Sequence, residues 1–365
     1  MPMVTEGRRL SRRAWLGGVL AGGFVPSAAS ARGTQHELLS AWDERPAGAR
    51  GHRAGLMDGT GIALPERAHQ VVADPTQPER AWAVARRPGE WLWRLDLARG
   101  RLAAAVPLDD QRRFEGHVCP WIVDGRVVAL YDTESRTEDG GGLVVTRDPT
   151  TLELRDEFTT TGVGPHELRR TGRDGLIVAN GGLLLLPETG REVRNPAQVV
   201  SDLVWLDSRD GRLRERCQAP LQGLSLRHVA EASDGTVGVG MQAVDEVGGT
   251  RLPVFAVRRP GRPHLALASA GDDLLVRLRG YAGAVAAAGN TFAVTCPRGD
   301  RVILWHATGR LVAEIELPGP CGVVAAGTGW WVSARDGGVY EIDADTGRVR
   351  LRLRRPGRVW DNHIG

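Results

Sequence analysis

Residues His69 to Leu108 read HQVVADPTQPERAWAVARRPGEWLWRLDLARGRLAAAVPL. Short apolar runs alternate with Pro, Gly and Asp breaks, so the stretch reads as four strands joined by three turns. The next unit opens at His117 with HVCPWIVDGRVVALYDTES, a third at His166 with HELRRTGRDGLIVANGG, and a fourth at His228 with HVAEASDGTVGVGMQ. Two more follow, GYAGAVAAAGNTFAV around Gly283 and CGVVAAGTGWWVSARDGG from Cys321, and a seventh has only DNHIG around His363. Four strands in every ~40–60 residues, repeated, is the signature of β-propeller blades. The expected fold is therefore all-β, a seven-bladed β-propeller. Ahead of the first unit, HELLSAWDE, HRAGLMDGTG and GIALPERAH copy the second, third and fourth strands of a unit. The closing blade is thus expected to be built from both termini, which closes the ring and removes its open sheet edges. An array of β-sandwiches would show neither this spacing nor this complementarity of the ends. The chain also lacks the regular Trp-Asp strand endings of WD40 repeats.

Composition narrows the chemistry. The chain has no lysine, so all 47 basic residues are arginine, and Schiff-base or lysine-nucleophile chemistry is excluded. The first 31 residues hold Arg8, Arg9, Arg12 and Arg13 against Glu6, a net +3 that equals the formal charge of the whole chain. The remainder is neutral with its signs interleaved, which argues against nucleic acid as a partner. The four cysteines, Cys119, Cys217, Cys296 and Cys321, are far apart and form no CxxC pair.

Residues 1–31 read as an export leader. RRLSRRAWLGGVLAGGFVPSAASA has a basic start, an apolar centre from Ala14 to Val25, and small residues at Ala29 and Ala31. SRRAWL is similar to the twin-arginine signal, with Trp15 where Phe is more usual. Residues 32–365 are assigned to the propeller domain, in the periplasm. No other stretch reaches the ~18 apolar residues that a membrane span needs.

Five of the nine histidines fall at one step of the repeat: His69, His117, His166, His228 and His363. The first strand of each blade lines the channel, so equivalent positions form a ring. The seventh blade adjoins the first, which makes the five histidines contiguous around it. Clustered neutral imidazoles suit Fe, Cu, Zn or Ni. Ordinary imidazoles would release the ion as pH falls through about 6.5. The competing reading is packing, as for the Gly-His histidine of WD-type blades. Glu167, Arg227, Gln242, Asn180 and Asp361 stand near these positions as supporting polar groups. Tyr281 stands beside the Gly283 gap. Cys321 reads more readily as a small buried residue than as a soft ligand. His36, His52, His264, His306, Trp330 and Trp331 read as surface or packing. No GxSxG, HExxH, P-loop or dinucleotide fingerprint is present.

With these residues placed, GVGPHELRRTGRDGLIVANGG, LSLRHVA, AVTCPRGD, CGVVA and WDNH resemble a domain-of-unknown-function family of exported seven-bladed propellers. The similarity runs over about residues 36–365. His166, His228 and His363 fall on the family's PHEL, RHVA and DNH motifs. GHVCPWIVDG departs from the family's usual pattern at Cys119 and Trp121 but keeps His117. Members are often encoded beside imelysin-type periplasmic iron proteins and a di-haem, peroxidase-like oxidoreductase. The resemblance therefore implies iron handling in the periplasm with a partner of one of those kinds. Carotenoid-cleaving oxygenases, which hold iron on the axis of a seven-bladed propeller with four histidines, offer a fold-level analogy only.

The expectation is a periplasmic metal-binding propeller of an iron uptake or handling system. Its ligands are drawn from His69, His117, His166, His228 and His363, and its metal is iron, with copper or zinc next. One alternative is a mononuclear metal oxidoreductase acting in the channel, with the Gly283 gap as an open coordination position. The other is a protein-interaction scaffold with structural histidines.

Overall fold

The computed structural model describes residues 38–45, 51–190, 192–244, 251–327, 329–344 and 346–365. Residues 1–31, read from sequence as an export leader, lie outside the described residues. Seven four-stranded antiparallel sheets form the molecule. The first complete blade, the His69 blade, runs Ala68–Ala73, Arg80–Ala85, Trp91–Asp96 and Arg101–Pro107. Its middle strands are almost wholly buried, as RAWAVA and WLWRLD require when both faces pack against neighbouring blades. Its outermost strand, RLAAAVP, alternates between exposed and half-buried positions. The remaining sheets repeat this plan, and their innermost strands surround one axis.

The closing blade joins the two ends as the terminal segments suggest. Arg358–Trp360 pairs with Leu39–Glu44, followed outward by Gly51–Leu56 and Ile62–Leu64. Trp42 and Trp360, both buried, meet edge-to-face with centroids 5.4 Å apart. Arg358 lies over the Trp42 ring at 4.3 Å. These contacts latch the ring with apolar area and a cation–π interaction.

In one respect the inner strands differ from the sequence reading. His69 and His166 stand at strand starts, as the repeat implies, but His117 is deep inside Arg112–Val123, His228 is well inside Leu224–Glu231, and His363 follows Arg358–Trp360. What the five positions share is a break in pairing. Register shifts fall between Ala68 and Gln70, Phe114 and Val118, Pro165 and Glu167, and Leu226 and Val229. In the closing blade Asp361 N donates to Ala41 O and Gly365 N to Leu39 O, so four steps on one strand face two on the other. His363 lies within that bulge. The Cys321 strand breaks likewise between Pro320 and Val323, whereas Ala284–Ala288, beside Gly283, pairs without a shift.

The one α-helix among the described residues, Asp272–Leu278, buries Leu274 and Leu278 in the core and opens on the exposed Asp272 and Asp273. No helix among the described residues is long and apolar enough to cross a membrane.

Candidate functional site

A β-bulge gives one strand extra residues and re-aims their side chains. Repeated in five blades, it turns five imidazoles toward the channel. His69, His117, His166 and His228 are buried and His363 is half-buried. Ring centroids lie 4.6 Å apart for His69 with His363 and for His117 with His166, and 4.8 Å apart for His166 with His228. The widest contact, His69 with His228, spans 6.3 Å. All five predicted residues are therefore brought together. Gly116 makes room for this. Its φ is +103°, and a Cβ there would sit 2.7 Å from Cδ2 of His69, so only glycine fits.

The ligand atoms form two overlapping triads, His69–His117–His363 and His117–His166–His228, with atoms in each within 4.8 Å of one another. His117 Nε2 lies 3.0 Å from His363 Nε2. At that distance one ring donates its Nε2–H to the other, and an ion held by both would take the place of this hydrogen bond.

Two carboxylates set the ring orientations. His69 Nδ1 is 2.7 Å from Asp361 Oδ1, and His228 Nδ1 is 3.1 Å from Glu167 Oε2. A carboxylate accepts, so each Nδ1 carries its proton and each Nε2 presents a lone pair. His69 Nε2 is buried with no hydrogen-bond partner, as are His117 Nδ1 and His166 Nδ1. Asp361 is held in turn by Arg67 Nε at 2.6 Å and Arg86 Nη1 at 2.9 Å.

The match to known families now bears on this arrangement. The family model described as "Protein of unknown function (DUF1513)" matches residues 62–365. The chain belongs to this family. No curated protein matches it. Among solved structures, Sqt1 of Saccharomyces cerevisiae is similar at TM-score 0.55 and 10% identity, over 84% of this chain and 82% of that one. At that identity the likeness concerns the fold alone.

The electrostatics of this DUF1513 site favour neutral imidazoles. Burial is the main force lowering every histidine of the cluster well below its ordinary value. Neighbouring Arg87 depresses His166 and His228 further, and His228 falls to about 3. Burial by itself would raise the Asp361 carboxyl, but Arg86, Arg67 and His69 hold it well below the usual range. The cluster therefore keeps its lone pairs at pH values where free imidazole is protonated.

Of the supporting residues named from sequence, Glu167 and Asp361 contact histidines directly. Arg227 donates to Gln242 Oε1 at 2.9 Å. Asn180 belongs to the sheet, donating to Asp202 Oδ1 at 2.8 Å and to Thr160 O. Tyr281 fills the Gly283 side, its hydroxyl accepting from Asn362 Nδ2 at 3.0 Å. Cys321 packs with Leu38, Trp42 and Ile364, outside both triads, and burial pushes its thiol up to about 12. His52 pairs with Asp43, His306 contacts Thr308, and His36 lies outside the described residues.

Sequence reasoning missed Arg86 and Arg87, which follow the second strand of the His69 blade. It also missed the connection between Asn180 and Asp202, which is longer than any other connection between neighbouring strands of one sheet. That length was the available signal, since long connections in compact folds are commonly functional. Leu183, Leu185 and Val193 from this connection line a cavity of about 90 Å³ against His69, His166 and His228.

Proposed function

We propose that this protein is a metal-binding propeller whose histidine cluster holds one transition-metal ion, iron first, with copper or zinc next. The observation that carries the reading is the convergence of five imidazoles from five blades, neutral and with two tautomers fixed by Asp361 and Glu167. A packing role does not call for five converging rings, and buried imidazole nitrogens without partners are costly. Ion binding supplies a partner to His69 Nε2, whose Nδ1 already serves Asp361. The donor set is all nitrogen, which suits Fe(II), Zn(II) or Cu(II) over thiolate-seeking ions.

In this reading the protein acts in the periplasm, exported by its twin-arginine leader, within an iron uptake or handling system. An imelysin-type iron protein or a di-haem peroxidase-like protein is its partner. The family resemblance supports these finer points. Replacing Arg12 and Arg13 by Lys tests the export route, and normal periplasmic levels of that variant would point to Sec instead.

The cluster itself is tested by metal analysis of protein purified from its own cellular compartment and of reconstituted apoprotein. The expected value is about one ion per chain, lost in His117→Ala, since His117 belongs to both triads. Less than a tenth of an ion per chain, unchanged on reconstitution, would overturn it.

The cavity favours a second reading, a mononuclear metal oxidoreductase. It abuts three of the five histidines, so a small molecule there would stand beside the ion. Dioxygen uptake by the metal-loaded protein tests this. An ion fully enclosed by protein ligands would argue against it.

A further inference from the structure

Arg227 lies beside His228 on the inner strand Leu224–Glu231 and is 3% exposed. Its Nη2 donates to Gln242 Oε1, but Nε and Nη1 are buried with no partner. Around the cavity, Arg86 is paired with Asp361, and Arg87 lies 3.5 Å from Glu115. Among the described residues no carboxylate lies within ion-pair distance of Arg227. A guanidinium does not lose its proton in proteins, and a buried cation without a counter-charge is strongly unfavourable. The neutral histidines do not compensate it, and a bound metal ion would add to the positive charge.

The same cavity is also lined by the apolar Leu183, Leu185, Val193 and Ala282. Tyr281 also faces it. Its oxygen accepts from Asn362, which leaves the phenolic proton free to donate. A guanidinium fork, a hydroxyl donor and apolar side chains in one cavity match one chemical class. We propose that the cavity binds a small organic carboxylate, with its anionic head on Arg227 and its short aliphatic body against Leu183 and Leu185. Arginine matches the two oxygens of a carboxylate with paired N–H donors. Inorganic phosphate would offer the same fork an anion but would leave the apolar side chains in contact with charge.

This inference does not rest on the metal, so the test uses full-length mature protein stripped with chelator. Calorimetric titration at pH 7.5 compares sodium butyrate, inorganic phosphate and uncharged butyramide. Butyrate should bind, and phosphate and butyramide should bind at least about tenfold more weakly. Arg227→Met should weaken butyrate about thirtyfold or more, as loss of a buried charge partner does. It should also raise the melting temperature of the ligand-free protein, because it removes an uncompensated charge. A merely structural arginine would lose stability on that change. Should Arg227→Met fail to fold, Leu185→Trp, which fills the cavity, should abolish butyrate binding instead. Binding of butyrate unchanged in either folded variant, equal binding of butyramide, tighter binding of phosphate, or no binding of butyrate would each overturn the proposal.

Discussion

Asp361 Oδ1 lies 2.7 Å from Nδ1 of His69, although 292 residues of chain separate them. The contact crosses the seam between the blade built from both ends and the first complete blade. It fixes the tautomer of an imidazole whose Nε2 faces the cluster, and it couples closure of the ring to assembly of the site.

Asp361→Asn should therefore have two effects. Metal affinity should fall roughly tenfold to a hundredfold, as it does when the group orienting a ligand histidine is lost. Stability should fall by about 3–5 kcal/mol, because Arg86 loses its buried counter-charge and Arg67 keeps only Asp43. Metal titration and urea unfolding of the same variant check both. Unchanged affinity would show that His69 needs no orientation.

The depressed histidines make stability depend on pH with a definite sign. In the unfolded chain each imidazole takes up a proton near pH 6.5, whereas in the fold His228 does so only at about 3. The unfolded state binds more protons in that window, so stability is lost as pH falls from about 6.5 toward 3, at up to ~1.4 kcal/mol per pH unit for each histidine. Urea midpoints at pH 5.5 and 4.5 should fall less steeply for His228→Ala than for wild type, by about one histidine's share. Parallel slopes would mean that His228 is protonated in the fold.

Metal binding should outlast the pH at which ordinary imidazoles release an ion. The sequence alone suggests competition near pH 6.5, but burial lowers the histidines and defers it. The rise in melting temperature on adding Zn(II) should persist at pH 5.5, by mass action on the folded state. Loss of that rise between pH 7 and 6 would contradict the burial account.

Deleting residues 358–365 should destabilise the whole propeller. The deletion removes the inner strand of the closing blade, the Trp42–Trp360 contact and Asp361. Thermal unfolding should stay a single transition at a much lower temperature. An unchanged midpoint would show that the seam contributes nothing.

The repeat made the architecture legible, because propeller blades carry their strand and turn pattern locally and their count must close. The five ring histidines were legible for the same reason. The bulges were not, since they depend on how one strand registers against the next. Arg86 and Arg87 escaped notice because they sit at the turn between the two middle strands of their blade and reach the axis only through the fold. Asp361 and Glu167 stood next to histidines in sequence, yet each orients the histidine of a neighbouring blade, His69 and His228. That exchange between blades is visible only in three dimensions.

The most direct test of the central claim is X-ray absorption at the metal edge on protein purified with its native ion. The account predicts about one ion per chain with a first shell dominated by imidazole nitrogen at roughly 2.0–2.2 Å, and loss of that signature in His117→Ala. A first shell of oxygen alone, or the same spectrum in wild type and His117→Ala, would place the ion elsewhere and return the five histidines to a packing role.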